Sequence, residues 1–326
     1  MFTSLIRSTL AMAFLSGGPL LAEETFQNPI NPSADPWMGW TDGEYHVSTT
    51  QGDRVRLWSA KSIGALKDAK PVTIWQKGRG VWAAEFHQLK GKQGERWFCY
   101  FTKTDGPDVN HRMFVMESET ASIKGPYGKP KLLRTDGKDE FYAIDGHVFS
   151  QGDNLYFLWA GHPGHLIYIS RMKDPTTLTG ERVMIPASGF GCEEVREGPY
   201  VIKHGGRVFL TYSACDTGKP DYKVGYLWVA EDADPMKVES WVQQKTPLLE
   251  RADANGVFGP GHHGFFKSPD GTQDWIVYHG KTTVDYTYKG RNTRAQRLEW
   301  DADGFPKKVV PLPLDAKVPL PAGDPG

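Results

Sequence analysis

The sequence has 326 residues, with 38 lysines and arginines against 39 aspartates and glutamates, and a formal net charge of −1 at pH 7. Because the two signs are evenly mixed, the chain offers neither the basic stripe of a nucleic-acid-binding protein nor a polybasic patch for a membrane surface. We therefore expect neither nucleic acid nor a membrane as a partner.

The first 22 residues have the pattern of a secretory signal peptide. A positive charge within the first seven residues is followed by an apolar or small stretch over residues 10–21, and Ala22 precedes two glutamates. An apolar run of about a dozen residues is too short to span a bilayer comfortably, so a retained anchor is the weaker interpretation. We expect cleavage after Ala22, a secreted or periplasmic product, and a single domain over residues 23–326.

Three cysteines, Cys99, Cys192 and Cys215, allow at most one disulfide. In an exported chain a Cys192–Cys215 bridge is one interpretation, and three small buried thiols are the other. The fold therefore cannot rest on a framework of disulfides.

Five segments of the chain share one form, a glycine-containing turn followed by an alternating strand rich in aromatic residues. The turn glycines are Gly43, Gly94, Gly152, Gly206 and Gly271. Long helical periodicity is hard to find, which is typical of an all-β fold. The glycines are separated by 51, 58, 54 and 65 residues, a spacing that fits four strands and their loops. We therefore predict a five-bladed β-propeller, with a Pro-rich C-terminal tail over about residues 311–326 that has little to bury.

A polar residue stands seven to nine positions before each turn glycine. The five residues are Asp35, Glu85, Asp145, Glu197 and His262. In a propeller the first strand of each blade lines the central channel, so equivalent positions at the starts of those strands converge at one face. We expect these residues to become neighbours.

Three of these residues, Asp35, Asp145 and Glu197, are carboxylates. Taken singly, an aspartate before proline is usually a turn former, and a glutamate before Gly-Pro is often a strand-end residue. Hydrolysis of a glycosidic bond needs two carboxyl groups in different protonation states, and a third charge nearby can raise the pKa of the acid. Because the three residues occupy similar phases of the repeat, we favour the catalytic interpretation.

The order and spacing of the motifs resemble the family 43 glycoside hydrolases, and especially their exo-acting α-L-arabinofuranosidase branch. The matching segments are Asn28-Pro29 with Ala34-Asp35-Pro36, residues 81–87, Ile144-Asp145-Gly146, Glu197-Gly198-Pro199, residues 259–262, Tyr278-His279 and residues 292–296. The sequence departs from the family pattern at Ala84, where a proline is usual, and at His263-Gly264, where Asn-Ser is expected. The resemblance runs through most of the chain after residue 22.

The resemblance implies hydrolysis with inversion and no required cofactor. It implies Asp35 as the general base, Glu197 as the general acid, and Asp145 as the residue that sets the pKa and the orientation of the acid. An inverting pair needs carboxyl groups about 6.5–9.5 Å apart, because a water must fit opposite the leaving group.

Further candidates are expected around the sugar. Trp37, Trp82 and Phe86 stand next to blade starts and are candidates for apolar walls, although any one tryptophan is more often a core residue. Glu85 and Arg294 are candidates to bind sugar hydroxyls, with a surface position as the alternative for Arg294.

His262 resembles a histidine that in many relatives helps to hold a hydrated calcium ion. Imidazole is not a preferred ligand of a hard cation, and the sequence has no dense carboxylate loop. The sequence therefore leaves open whether a calcium ion binds near His262.

We predict a glycosidase that removes terminal α-L-arabinofuranosyl residues from arabinan, arabino-oligosaccharides or arabinoxylan. The expected partner is thus a plant cell-wall saccharide that contains arabinose or xylose. The alternatives are a β-D-xylosidase or other pentosidase of the same family, and a propeller that binds glycans without catalysis. A retaining glycosidase, with carboxyl groups about 5 Å apart, is a third. Endo or exo action and the oligomeric state stay open.

Overall fold

The alternating segments of the sequence fold into antiparallel hairpins. The computed structural model describes residues 24–326, and this range consists of β-strands with four short 3₁₀ helices. The predicted all-β class is confirmed, while the predicted signal peptide, residues 1–22, lies outside the described residues. No helix in the described range is long and apolar enough to cross a membrane. The 3₁₀ helices are Ile63–Asp68, Asp108–Asn110, Val238–Ser240 and Asp253–Asn255.

The first half of the described chain forms one continuous sheet of seven strands after a short initial strand. The strands are β1 (Thr25–Phe26), β2 (Trp37–Thr41), β3 (Glu44–Ser48), β4 (Gly52–Ala60), β5 (Val72–Gly91), β6 (Gly94–Lys103), β7 (Arg112–Glu117) and β8 (Lys131–Leu132). Strand β5 is 20 residues long and belongs to two strand groups. Its first part pairs with β4 and its last part with β6, so it joins β2–β5 to β5–β8.

The second half forms three further antiparallel sheets. The strands are β9 (Ala143–Gln151), β10 (Asn154–Gly161), β11 (Leu166–Asp174), β12 (Thr177–Leu178), β13 (Val183–Met184), β14 (Arg196–His204), β15 (Arg207–Ala214), β16 (Lys223–Ala230), β17 (Val242–Gln243), β18 (Phe258–Lys267), β19 (Asp274–Lys281), β20 (Asn292–Leu298) and β21 (Val318–Pro319). The sheets contain β9–β13, β14–β17 and β18–β20. Together with the two groups of the first half, they make five strand groups.

The core lies between neighbouring strand groups. Alternating apolar residues of each strand pack against the next sheet, and the cluster that contains Leu57, Phe86, Phe209 and Tyr278 unites residues from both halves of the chain. Burial of this apolar surface is the dominant favourable term in folding. Residues far apart in sequence therefore hold the sheets in a fixed relation.

The two ends of the described chain meet. Strand β1 pairs with β21. The segment before β2 is joined to β20 by two backbone hydrogen bonds, from the N–H of Thr293 to the carbonyl of Asn31 and from the N–H of Ile30 to the carbonyl of Thr293. Val318 is buried opposite Phe26. We expected residues 311–326 to bury little, but this Pro-rich segment is docked on the fold because its apolar residues cover the first strand.

One backbone feature recurs near the first strand of each of the five strand groups. The residues are Asp35 (φ 58°), Ala83 (φ 45°), Asp145 (φ 56°), Gly198 (φ 54°) and His262 (φ 43°). In four of the groups the strand ladder shifts here, which marks a β-bulge. Residues other than glycine rarely adopt a positive φ, so its repetition at one place indicates a constraint shared by the groups.

The bulges correct the predicted equivalence of the five polar residues. Asp35, Asp145 and His262 occupy the left-handed position itself, whereas Glu197 stands one residue before Gly198. Glu85 lies two residues after Ala83. Counting residues back from the turn glycine did not detect these offsets, because a bulge adds a residue to one strand only.

Cys192 and Cys215 form a disulfide, and Cys99 is a buried free thiol. Of the two interpretations left open by the sequence, the bridge is the one observed. Cys192 precedes β14 and Cys215 directly follows β15, so the bridge clamps the hairpin that carries Glu197.

Candidate active site

A cavity of about 460 Å³ opens where the bulges of the strand groups meet. We call it the acidic cavity. It is lined by Asp35, Thr50, Trp82, Asp108, Tyr142, Ile144, Asp145, His165, Val195, Glu197, Asp216, Thr217, His262, Tyr288 and Arg291. Three different strand groups thus bring the three predicted carboxylates, Asp35, Asp145 and Glu197, to one cavity.

Asp35 lies among three cationic or hydrogen-bonding groups. Its Oδ1 is 3.1 Å from Nη1 of Arg291, 3.1 Å from Nδ1 of His279 and 3.6 Å from Nδ1 of His262. Burial alone would raise the pKa of Asp35, but the charges of Arg291 and His262 and the contact with His279 hold it well below its usual value. Asp35 is therefore an ionised carboxylate at any pH near neutrality.

Asp145 is linked to the backbone of the residue that follows Glu197. The N–H of Gly198 donates a hydrogen bond of 3.0 Å to Oδ2 of Asp145, and Nδ1 of His262 lies 3.9 Å from the same oxygen. Burial raises the pKa of Asp145 to about 7, with His262 opposing this effect and the carboxylates of Glu197 and Asp35 adding to it. Asp145 therefore resists ionisation, unlike Asp35.

Each carboxylate oxygen of Glu197 has its own partner. The hydroxyl of Tyr222 donates to Oε1 at 2.8 Å, and Nε2 of His165 lies 3.3 Å from Oε2. Burial would raise the pKa of Glu197, but His165 above all, with His262 and Tyr222, lowers it below its usual value. Within residues 24–326, the hydrogen bonds and ion pairs of this carboxylate go to Tyr222 and His165 alone.

His262 stands between the two aspartates. Its Nδ1 faces both carboxylates, and its backbone N–H donates to Oγ of Ser213 at 2.8 Å. Burial would lower the pKa of His262, but the negative charges of Asp35 and Asp145 raise it. A protonated His262 therefore neutralises part of the negative charge of the acidic cavity.

Of the predicted sugar-binding residues, the structure brings only Trp82 to the acidic cavity. Its ring stacks on His111 with the ring centroids 3.8 Å apart. Trp37 and Phe86 are buried and pack against each other in the core, with their ring centroids 5.4 Å apart. Arg294 is fully buried and donates from Nε to Asn292, rather than lying on the surface. The positions of Trp37, Phe86 and Arg294 do not support contact with a sugar in the acidic cavity.

Glu85 lies away from the acidic cavity, in a group with His87 and His147. The three residues offer potential metal ligands within 4.8 Å of one another. However, the N–H of Val201 donates to Nε2 of His147 at 3.2 Å, so the proton of this neutral ring is on Nδ1, which lies 2.8 Å from Glu85. Burial lowers the pKa of His147 to about 3, which keeps the ring neutral. A metal ion on Nδ1 would have to displace this proton, so the group fits a hydrogen-bonded cluster better than a metal site.

Four residues around the carboxylates were missed by the sequence analysis as participants: His165, Tyr222, His279 and Arg291. Only His279 stood in a segment that carried a signal, the Tyr278-His279 pair. The others lie in loops or outer strands far from their carboxylate in sequence, with Arg291 and Asp35 separated by 256 positions. Only the folded chain brings them together.

The sequence model of Glycosyl hydrolases family 43 matches residues 26–306. The chain belongs to glycosyl hydrolase family 43. This confirms the resemblance on which the sequence analysis relied, and the match covers every residue of the acidic cavity.

Named relatives and a solved structure extend this result. The chain is 33% identical over 320 residues to an extracellular exo-alpha-(1->5)-L-arabinofuranosidase of Streptomyces avermitilis, covering 90% of this chain and 65% of that protein. It is 30% identical over 344 residues to alpha-L-arabinofuranosidase 43 of Humicola insolens, covering 98% of this chain and 69% of that protein. The chain thus spans just under two thirds of the length of the Streptomyces protein.

The fold is similar to the crystal structure of an alpha-L-arabinofuranosidase from Lactobacillus brevis. The two structures share a TM-score of 0.81 and 32% sequence identity, over 90% of this chain and 98% of the other. The similarity therefore extends over nearly the whole of that chain.

Proposed function

We propose that this family 43 member hydrolyses terminal α-L-arabinofuranosyl bonds with inversion of configuration. The observation that carries the proposal is the convergence of three carboxylates in different electrostatic surroundings on one cavity. The arabinofuranosidase names of the relatives support the choice of sugar. We also propose that the five strand groups are the five blades of a propeller, and the pairing of the chain ends supports closure of the ring.

Asp35 is the general base. An inverting base must be ionised before it can accept a proton from the attacking water. The guanidinium of Arg291 and the rings of His262 and His279 keep Asp35 in this state. Within residues 24–326 the hydrogen bonds and ion pairs of the Asp35 carboxylate all go to Oδ1, which leaves Oδ2 to orient the water.

Glu197 is the general acid. Its side chain lines the acidic cavity, with Tyr222 donating to Oε1 and His165 beside Oε2. Asp145 orients the acid through the N–H of Gly198. Because Asp145 is difficult to ionise, the cavity does not have to accommodate three full negative charges.

The substrate is an arabinose-containing plant cell-wall saccharide, as in arabinan, arabino-oligosaccharides or arabinoxylan. Trp82 forms an apolar wall, since it is the predicted aromatic residue that lines the cavity. Export through the signal peptide of residues 1–22 is part of the proposal, and the word "Extracellular" in the name of the Streptomyces relative supports it.

A calcium ion near His262 stays a prediction. Calcium takes six to eight oxygen ligands, and the carboxylates within 4.0 Å of the His262 ring in the described range are those of Asp35 and Asp145. Both carry roles in the proposed reaction.

The test compares release of p-nitrophenol from the α-L-arabinofuranoside and the β-D-xyloside by the purified chain without residues 1–22. Release from the arabinofuranoside is expected. Glu197→Gln should lose most release of arabinose from arabino-oligosaccharides, whose leaving group needs a proton, and undiminished release there overturns the role of Glu197. Faster release from the xyloside favours the β-D-xylosidase alternative. Release from neither substrate, with no sugar freed from arabinan or arabinoxylan, overturns the hydrolase and favours a glycan-binding propeller. A parallel assay with a chelator tests calcium.

A further inference from the structure

We propose that His165 stores and supplies the proton that Glu197 delivers to the leaving group. The inference rests on the proposed function, because it assigns a partner to the acid of that same reaction. His165 acts through Glu197 and is thus a positioning and proton-holding residue.

His165 is built into the site by its backbone. It lies in the turn between β10 and β11 with a φ of 49°. The N–H of Arg196, the residue before Glu197, donates to the carbonyl of His165 at 2.9 Å. The turn is thereby tied to the strand that carries the acid. Holding a residue other than glycine at positive φ costs free energy, which is consistent with a function for this position.

The side chain of His165 has one polar contact. Its Nε2 lies 3.3 Å from Oε2 of Glu197 as an ion-pair contact, and this nitrogen makes no hydrogen bond within residues 24–326. Tyr142 packs against the ring with the centroids 5.4 Å apart. The side chain is 22% exposed, so the ring meets both the acid and the water of the cavity. This geometry gives Glu197 a route to solvent protons.

The charges around His165 favour its protonated form. The negative charges of Glu197, Asp145 and Asp216 stabilise a positive charge on the His165 ring. His162, in the same turn, is another titratable group next to this ring. Burial would lower the pKa of His165, but the contact with Glu197 and the three carboxylates raise it. Between the ordinary pKa values of glutamate and histidine, about 4.3 and 6.5, the pair is therefore an imidazolium and a carboxylate before a sugar binds.

Filling the cavity with a sugar changes this balance. An ion pair loses solvation when water is expelled, whereas a neutral imidazole and carboxylic acid lose less. The N–H bond of His165 then breaks and the O–H bond of Glu197 forms, without a change in the number of protons. Glu197 passes this proton to the glycosidic oxygen as the bond to the sugar breaks, and Asp35 takes a proton from the attacking water. After product release, Asp35 loses its proton to solvent and His165 takes one up.

Asp145 is the competing source of this proton. Its Oδ2 is engaged by the N–H of Gly198, and within residues 24–326 it forms no hydrogen bond or ion pair with the side chain of Glu197. His165 faces Glu197 directly. Direct contact at 3.3 Å favours His165 as the donor.

The test uses His165→Asn, because asparagine tolerates the left-handed backbone of this turn. The matched control is His162→Asn in the same turn. Both are compared with wild type on arabinobiose, whose leaving group needs a proton, and on 2,4-dinitrophenyl α-L-arabinofuranoside, whose leaving group does not. We expect His165→Asn to lower kcat/KM about 100-fold for arabinobiose and much less for the dinitrophenyl substrate. His162→Asn should change neither by more than about threefold.

The pH profile gives a second readout. In wild type the last proton of the pair is held by either His165 or Glu197, whereas without His165 it must reside on Glu197 alone. Losing one of the two holders lowers the pH at which this proton is lost, so the alkaline limb of kcat/KM should move to lower pH. In His165→Gly, which also permits the backbone conformation, added imidazole should restore activity on arabinobiose.

Equal losses on both substrates with an unmoved alkaline limb would assign His165 a structural role and overturn the inference. Unchanged kinetics of His165→Asn on both substrates would also overturn the inference. Wild-type protein that releases arabinose from neither substrate would instead overturn the proposed function itself. The two failures are therefore distinguishable.

Discussion

Oδ1 of Asp35 lies 3.1 Å from Nη1 of Arg291, across 256 positions of sequence. Arg291 is held in turn by Thr217, whose Oγ1 accepts from the same nitrogen at 3.0 Å, and by the carbonyl of Tyr288. The charge beside the base is thus fixed by three contacts. It determines the pH range in which Asp35 can act.

We predict that Arg291→Gln moves the acid limb of kcat/KM to higher pH. Asp35 must be ionised, so activity is lost as pH falls through its pKa, which the guanidinium holds low. Removing the charge raises this pKa, and a rise of one unit costs about tenfold in rate well below it. Measurement of kcat/KM between pH 4 and 8, with Arg291→Lys as control, checks this. Parallel profiles for Arg291→Gln and wild type would contradict it.

Asp145 should make stability fall as pH rises. Its pKa of about 7 lies above the ordinary aspartate value, so between about pH 4 and pH 7 the native state keeps a proton that the unfolded chain has released. Because ionisation stabilises the unfolded chain across this window while the native state keeps its proton, the free energy of unfolding falls. We expect Asp145→Asn to be nearly neutral at pH 4 and to raise the free energy of unfolding by on the order of 2 kcal/mol at pH 8.

Asp136 provides a control of opposite sign for Asp145. It accepts hydrogen bonds from three backbone N–H groups, those of Lys138, Glu140 and Phe141. Although burial opposes the shift, these bonds lower its pKa, so Asp136→Asn should destabilise the protein at pH 8. Denaturant titrations at both pH values measure the effects, and a destabilised Asp145→Asn at pH 8 would refute the assignment.

Substitutions of Trp82 and Trp37 should separate an effect on substrate binding from an effect on stability. Trp82 lines the acidic cavity, so Trp82→Ala should raise KM about tenfold, which corresponds to about 1.4 kcal/mol of lost contact. Trp37 is buried against Phe86, so Trp37→Ala should leave KM unchanged and lower the free energy of unfolding by about 3–5 kcal/mol. Steady-state kinetics and thermal melts give both quantities. A raised KM in folded Trp37→Ala would show that this residue contacts the sugar after all.

The Cys192–Cys215 disulfide should stabilise the hairpin of the acid. The bridge closes a loop with a sequence separation of 23, which in the chain-entropy account contributes about 3 kcal/mol. Replacing both cysteines by serine should lower the melting temperature and, because Val195 and Asp216 line the cavity beside the bridge, lower turnover as well. Cys99→Ser removes a buried thiol without a bridge and is the control. An unchanged melting temperature for the double variant would contradict a stabilising bridge.

Much of the fold could be predicted from the repeat of turn glycines and alternating strands. Each hairpin is a local feature, so its signal lies within about 20 residues of sequence. The docking of residues 311–326 was not predicted, because it depends on pairing between Val318 and Phe26 at the opposite end of the chain.

The candidate site was predictable where a residue belongs to the repeated unit. Asp35 and Asp145 occupy the recurring left-handed backbone position, and Glu197 immediately precedes it. Residues before the bulge, such as Trp82, line the cavity, while later ones such as Phe86 turn into the core. A bulge alters the simple alternation of strand faces, so a period of two could not distinguish these aromatic residues.

The partners of the carboxylates could not be predicted, because nothing in a single sequence links them. Arg291 and His165 lie in loops that reach their carboxylates only through the arrangement of the sheets. These residues are related to their carboxylates by proximity in the folded chain alone. The sequence motifs pointed to Arg294 as a sugar-binding residue, but Arg294 is buried in the fold. Arg291, three positions earlier in the chain, is the arginine that contacts Asp35.

The most direct test of the account is the anomeric configuration of the first product. Proton NMR during hydrolysis of p-nitrophenyl α-L-arabinofuranoside by wild-type protein should show β-arabinofuranose before mutarotation, because Asp35 activates a water on the face opposite the leaving group. Initial formation of the α-anomer would contradict the account, since it requires a nucleophilic carboxylate and a covalent intermediate in place of a general base.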